Sequence, residues 1–447
     1  MRRGVPLFLA LALSGLLAGC GGPDGDRDGS APVCVPPPWL DVLVAPDAAT
    51  ASEVSLAIDP TDPQHIVASA NSGGGFAVYT SLDGGGNWSV EELDALTMLQ
   101  AGTYFVPGIT LSDPAVAFGP DGTLYIAGLA YIPASAVVVF VRPTPDGPWT
   151  TRTVWQSEVA LTFNDKEWLA VDPATGTVLV AWQREPAMDQ LRTIDQTTQL
   201  TDVDLGLVVT SRSTDGGATW SLPVIASDTL HNNGTQLAWI GGDAHLVWVD
   251  YEGPGLKHAV SHDGGASWDA PTDVSDLAIV GSFPEFSRMH TLPGLAWSAT
   301  GLAVVWHDAR NDPADVLVSR YDGTSWSPAE RVPDDPVGSG RIQFYPWAAY
   351  DGAGVLHVTY YSGEAGGNFT YRHITRVADG TWSQPDGLSQ PFVAFASSTA
   401  SASDLGDYTA VAALGNSVHA AWAQPDAVAA GSRIHVATPQ IGCRAPG

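Results

Sequence analysis

A motif of the form S-x-D-G-G-x-(T/S/N)-W occurs three times in this chain: Ser81 to Trp88, Ser213 to Trp220 and Ser261 to Trp268. Recurrence at intervals of tens of residues marks a repeat architecture, in which one supersecondary unit stacks on the next. The chemistry is that of a tight turn. Ser81, Ser213 and Ser261, with Asp83, Asp215 and Asp263, place oxygens that accept backbone N–H bonds inside the turn. Gly85, Gly217 and Gly265 admit φ > 0. Trp88, Trp220 and Trp268 open the next strand and can lie over the turn as an apolar lid. Shorter versions stand at Asp146 to Trp149, Asp322 to Trp326 and Asp379 to Trp382, each between two short runs of β-type residues.

The residues around the second motif give the order of one unit. Glu167 to Pro173 reads as a strand, Ala174 to Gly176 as a turn and Thr177 to Gln183 as a second strand. Leu207 to Ser213 reads as the third strand and Trp220 to Ala226 as the fourth. Short strands with regular turn signals indicate an all-β repeat. First strands begin near Glu53, Asp113, Asp165, Asn233, Met289, Ile342 and Asp404. That makes seven units of roughly 50–70 residues, the size of β-propeller blades with loop insertions. Trp168, Trp239, Trp297 and Trp347 form one expected column on first strands. Trp182, Trp248, Trp306 and Trp422 form another on second strands, expected to pack between blades. The last unit has three strands: Tyr408 to Leu414, Ser417 to Ala423 and Arg433 to Thr438. A spare strand at Trp39 to Ala45 is therefore expected to complete it and close the ring.

Outside the repeats, the N-terminus reads as a targeting segment. Arg2 and Arg3 precede an apolar run from Val5 to Leu17, too short and wrongly flanked to span a membrane. The run ends Leu17-Ala18-Gly19-Cys20, which resembles a bacterial lipobox. That resemblance implies a signal peptide over 1–19, lipid attachment at Cys20 and a tether over 20–33, with the propeller from 34 to 447. Gly21, in place of the Asp associated with inner-membrane retention, favours an outer-membrane or cell-surface address. The formal charge of −29 argues against nucleic acid and anionic membrane faces as partners. Cys34 and Cys443 are expected to pair in an oxidising compartment. Their bond would sit where other blades carry the motif turn.

The motifs resemble the Asp boxes (BNR repeats) of the sialidase superfamily, and the resemblance covers the chain from about Cys34 to Cys443. It implies a propeller, of six blades in the family's own count, with the boxes between third and fourth strands on the face away from the site. The boxes are then structural, and they lack the alternating acids and closing Glu of a calcium loop. Candidate ligand residues on the opposite face are Asp165, Lys166, Arg184, Asp250 with Tyr251, Arg288, Asp308, Arg310 and Arg341. Tyr408 with Asp407 stands where the family's catalytic tyrosine would come. Two long insertions, Asp94 to Ser112 and Glu185 to Leu205, belong to the same face. Lys166 and the Asp308–Arg310 pair also admit a structural reading as ion pairs.

The resemblance breaks at the first blade. The family's first arginine is absent, and the position reads Ser52-Glu53-Val54-Ser55-Leu56. No Arg or Lys occurs between Arg27 and Arg142. Glu53, Asp113, Asp165 and Asp407 could ring the channel and hold Ca²⁺. No cofactor is otherwise implied, and no zinc spacing occurs. Three functions follow as expectations: a surface-anchored propeller recognising a glycan or protein in its funnel, an exo-glycosidase of retaining sialidase type, or an envelope scaffold factor.

Overall fold

The computed structural model describes residues 39–44, 50–94, 97–98, 109–131, 135–156, 163–184, 206–281, 289–299, 301–393, 405–425 and 431–439. The fold begins with β1 (Trp39–Leu43). Blade 1 is β2 (Ala51–Asp59), β3 (Asp62–Ser72), β4 (Gly75–Ser81) and β5 (Ser89–Leu93). Blade 2 is β6 (Thr110–Phe118), β7 (Leu124–Tyr131), β8 (Ser135–Arg142) and β9 (Thr150–Gln156). Blade 3 is β10 (Asn164–Val171), β11 (Val178–Arg184), β12 (Leu207–Ser213) and β13 (Val224–Ile225). Blade 4 is β14 (Asn232–Ile240), β15 (Asp243–Asp250), β16 (Gly255–Ser261) and β17 (Thr272–Asp276). Blade 5 is β18 (Gly294–Ser298), β19 (Gly301–Asp308), β20 (Asp315–Tyr321) and β21 (Glu330–Arg331). Blade 6 is β22 (Ile342–Tyr350), β23 (Leu356–Gly363), β24 (Phe369–Arg376) and β25 (Asp386–Gly387). Blade 7 begins with β26 (Ala410–Leu414), β27 (Ser417–Pro425) and β28 (Ser432–Pro439).

These strands form seven four-stranded antiparallel sheets, a seven-bladed β-propeller. The seventh sheet has the order β1-β28-β27-β26, so the N-terminal strand closes the ring as expected from the unit count. Trp39 pairs with Pro439 and Leu43 with His435. Trp39 packs edge-on against His373, and Asp41 lies 2.8 Å from His435 Nδ1. Cys20, Cys34, Arg288, Cys443 and the insertion 185–205 lie outside the described residues, as does most of 94–112.

Middle strands are sandwiched by neighbouring blades and are apolar on both faces. β8 reads SAVVVFVR and is buried throughout. Outer strands face solvent, and three of them, β13, β21 and β25, have only two residues. The fourth strand expected from Trp220 therefore shrinks to β13. Pro223 lacks an N–H for the ladder, and Ser221 N–H still donates to Arg212 O at 2.9 Å. β18 and β26 begin later than the unit starts at Met289 and Asp404 suggested. Pro293 lies just before β18, and Gly406 adopts φ +76° before β26.

The tryptophans separate into distinct roles. Trp182, Trp248, Trp306 and Trp422 are fully buried on second strands, each against the preceding blade. Their indole N–H groups reach Asn164, Asn232, Asp308 and Gln424. The first-strand set is not one column. Trp168 and Trp347 sit at one level, Trp239 and Trp297 three residues further along, and Trp297 is 50% exposed.

The three Asp boxes close the β4–β5, β12–β13 and β16–β17 turns in one way. Gly85, Gly217 and Gly265 N–H groups donate to Ser81, Ser213 and Ser261 hydroxyls at 2.8–2.9 Å. Each serine donates to Asp83, Asp215 or Asp263. Hydrogen bonds from Asn87, Thr219 and Ser267 bring those carboxyls down to about 2. Trp88 and Trp220 donate to Gly85 O and Gly217 O, whereas Trp268 reaches across to Thr210 of blade 3.

Near the start of the second strands, blades 4 and 6 carry stacked histidine pairs. His245 faces His258 at 3.0 Å and His357 faces His373 at 2.9 Å. Burial and the neighbouring ring bring His258 down to about 3 and His357 to about 4. A depressed histidine contributes stability above the unfolded value near 6.5 that is lost as pH falls toward the folded value. At pH 5 the His357 contribution should be roughly 2 kcal/mol below that at pH 8. Urea melts of His357→Gln and the parent at both pH values check this, and equal losses on acidification would contradict it.

Candidate binding face and its axial hub

Five first strands carry a register shift at the same place: Ser52/Ser55, Ser112/Ala115, Asp165/Trp168, Asn233/Gln236 and Phe344/Trp347. Each bulge contains a residue with positive φ: Glu53 (57°), Asp113 (60°), Lys166 (49°), Gly234 (67°) and Tyr345 (49°). Four of the five are not glycine, and such backbone costs about 1–3 kcal/mol unless its surroundings hold it. The bulges lie where first strands begin. In a four-stranded meander that end is opposite the turn between third and fourth strands, so this face is opposite the Asp boxes.

The bulges of blades 1, 2 and 3 bring charged side chains together. Lys166 Nζ lies 2.7 Å from Asp407, 3.0 Å from Asp113 and 3.5 Å from Glu53, so one ammonium ties blade 3 to blades 7, 2 and 1. All four side chains are buried. Asn71 completes the hub, its amide donating to Glu53 at 2.5 Å while its oxygen accepts Asp113 N–H at 2.7 Å. Burial opposes the ammonium, but Asp113, Asp407 and Glu53 outweigh it and push Lys166 well above its ordinary value. Burial and the neighbouring Asp113 push Glu53 well up. Burial also raises Asp113, but Lys166 and a hydrogen bond from Glu53 more than offset it, so Asp113 lies below its usual value. The ammonium stands among the carboxylates that the sequence reading offered to Ca²⁺. Among the described residues, no group of three or more acids, histidines or cysteines is arranged for a metal.

Beside the hub is a cavity of about 20 Å³, lined by Asp113, Lys166, Glu167, Trp168, Trp347 and Tyr408 among others. That is room for one water-sized group. Trp168 and Trp347 rings lie 5.0 Å apart, and each is 6.1 Å from Tyr408. Tyr408 is buried, and burial followed by Asp113 and Glu53 pushes its phenol well up. Glu167 is also buried, and neither carboxyl oxygen meets a donor from another residue among the described residues. Burial, then Asp113, pushes it well above the usual range.

This last group gives a direct expectation. A carboxyl raised in the folded state loses stability as pH rises above its unfolded value near 4.5. Glu167→Gln removes that loss. The variant should be more stable than the parent at pH 7 and match it near pH 4, as read from thermal melts. Destabilisation at pH 7 would mean that Glu167 is ionised and paired.

The remaining candidates are spread around the rim. Asp165 accepts the Lys166 backbone N–H at 2.9 Å. The Arg184 guanidinium lies 5.5 Å over Trp155. Asp250 is buried and accepts Glu252 N–H, with Lys257 at 3.9 Å. Tyr251 donates to Thr291 O. Arg310 is held by Asp308 at 2.6 Å and by Asp276 O at 2.6 Å. Arg341 reaches Ser362 at 3.1 Å and Glu364 at 3.9 Å. Arg184, Arg310 and Arg341 have separate partners, and no described contact joins them on one ligand. Glu167, Asn71, Trp347 and Trp168 escaped the sequence reading as site residues. The signal available was the shared start of the first strands, Ser52-Glu53, Ser112-Asp113 and Asp165-Lys166.

No protein-family profile matches the chain, and no curated protein matches it. Among solved structures, a Hadza microbial sialidase, Hz136, is 13% identical, covering 84% of this chain and 73% of that one with a TM-score of 0.46. The NanB sialidase from Streptococcus pneumoniae is 11% identical, covering 90% and 70%, with a TM-score of 0.46. A thermostable family-43 glycoside hydrolase is 14% identical, covering 66% and 96%, with a TM-score of 0.40. Scores this low bear on neither the chemistry of the face nor its ligand.

Proposed function

We propose that this chain is a recognition propeller that binds a glycan or protein on the face where its first strands begin, without turning it over. The supporting observation is the committed state of Lys166. A clamp for a sugar carboxylate needs free cations, and this ammonium is already neutralised by Asp113 and Asp407. Arg310 and Arg341 are engaged at the rim, and the cavity beside the hub has a volume of about 20 Å³. In this reading a lipid on Cys20 holds the propeller at the cell envelope, and a Cys34–Cys443 disulfide supplements the β1 closure. Intact mass before and after reduction tests the disulfide; two free thiols would remove it.

A second reading is a retaining glycosidase acting through Tyr408 with Asp407. It draws support from the position of Tyr408 against the cavity that Glu167 also lines, a carboxyl that burial and Asp113 push well above its usual range. It is opposed by the burial of Tyr408. The two readings part on one assay. Incubation with sialosides and neutral glycosides should give retention of ligand with no released sugar. Release that Tyr408→Phe abolishes would establish the enzyme.

A further inference from the structure

The axial hub holds more acid than base. Glu53, Asp113, Glu167 and Asp407 are buried around one ammonium. Glu53 takes the Asn71 amide, and Asp113 and Asp407 take Lys166. Glu167 is 3% exposed, lines the cavity and, among the described residues, has no donor from another residue for either oxygen. A buried carboxyl without a donor is costly, and a water-sized space beside it marks a missing hydrogen-bond donor.

The lining says which donor fits. An anion would face Glu167 and Asp113. Ca²⁺ requires six to eight oxygens, which the aromatic walls do not offer. An ammonium group is close to water in size and brings three N–H donors with its charge. The rings of Trp168 and Trp347 attract such a cation through their quadrupoles, as the Tyr408 ring already attracts Lys166 Nζ at 5.8 Å. Trp168, one of the lining residues, is partly exposed, so solvent reaches the cavity wall.

We infer that the cavity beside Glu167 is a receptor for a primary ammonium group, and that the ligand of this face is cationic at the end that reaches the axis. The inference rests on reading this face as a binding face, and it deepens that reading by naming the ligand's charge. The arriving ammonium donates to Glu167 and holds its carboxylate ionised; Lys166 also lines the cavity, and its charge is offset there by Asp113 and Asp407.

The test uses the full chain and three salts at matched ionic strength: methylammonium, tetramethylammonium and sodium chloride. Tryptophan fluorescence and melting temperature are read against concentration. Methylammonium should give a saturable change in both, and the other two salts neither. Glu167→Gln should weaken the methylammonium response about tenfold while melting no lower than the parent. Line broadening of ¹⁵N-methylammonium by the parent, reduced in Glu167→Gln, reads the same contact without depending on stability. An equal response to sodium, an unchanged response in Glu167→Gln, or no response in the parent would overturn the inference. Glycoside hydrolysis would instead defeat the binding reading and leave the ammonium response in place.

Discussion

Lys166→Met should destabilise the propeller by about 3–5 kcal/mol, the cost of removing one partner of a buried ion pair and stranding the other. The loss is large because the ammonium bridges carboxyl groups of blades 1, 2 and 7, with Asp113 and Asp407 closest to it. Left without the ammonium, Asp113 and Asp407 repel each other and take up protons to relieve it. A carboxyl whose folded value is raised loses stability as pH increases. The variant's deficit should therefore be largest at pH 8 and shrink toward pH 5, as read from urea midpoints. Lys257, the chain's other lysine, supplies the contrast. It pairs at 2.7 Å with Asp273, whose side chain is 82% exposed. Lys257→Met should cost less than about 1 kcal/mol. Equal effects at the two lysines would mean that the axial contacts hold nothing together.

Removal of residues 1–44 should abolish cooperative folding. The truncation strips β1 from β28 and leaves the seventh blade with three strands. It also opens the β28 edge, where Val436 and Ala437 are buried against the ring. An unpaired apolar edge recruits other chains. The ring has no second sheet edge to zip, so the loss is comparable to the whole stability of an ordinary domain, about 5–15 kcal/mol. Size-exclusion chromatography should show aggregates, and the melt should be broad. A control truncation ending at residue 37 keeps β1 and should melt as a single cooperative transition. A monomeric, sharply melting product from the longer truncation would show that β1 is dispensable.

Much of this fold was legible because turn chemistry is local. Ser, Asp, two glycines and Trp specify one hairpin wherever they occur, so the boxes count blades without help from tertiary contacts. The missing fourth strand of the last unit, set beside a spare Trp39 strand, gave the closure by subtraction. Strand ends were less legible. Trp220 to Ala226 has β composition, but Pro223 and solvent on the outer edge reduce its ladder to two residues.

The candidate face was legible only in part. Lys166, Asp113, Asp407 and Tyr408 stood out as rare or familiar residues at strand starts. Their meeting at one point depends on bulges, which invert side chains by one extra residue and leave no composition signal. Tyr345 and Lys166 both take positive φ, and nothing in their residue type announces it. Glu167 entered the sequence reading only as the first residue of a strand, beside a lysine whose structural role is an ion pair. The extra residue of the bulge separates their surroundings, giving Lys166 three carboxyls and Glu167 no donor from another described residue.

The proposed binding without turnover rests on an axis closed by its own ion pairs. The most direct measurement is to incubate the full chain with a panel of sialosides, neutral glycosides and amine-bearing glycans. Captured ligand and released sugar are then followed by mass spectrometry in the same sample. Ligand retained at unchanged mass is the expected result, with capture weakened in Glu167→Gln. A released monosaccharide that disappears with Tyr408→Phe would contradict it.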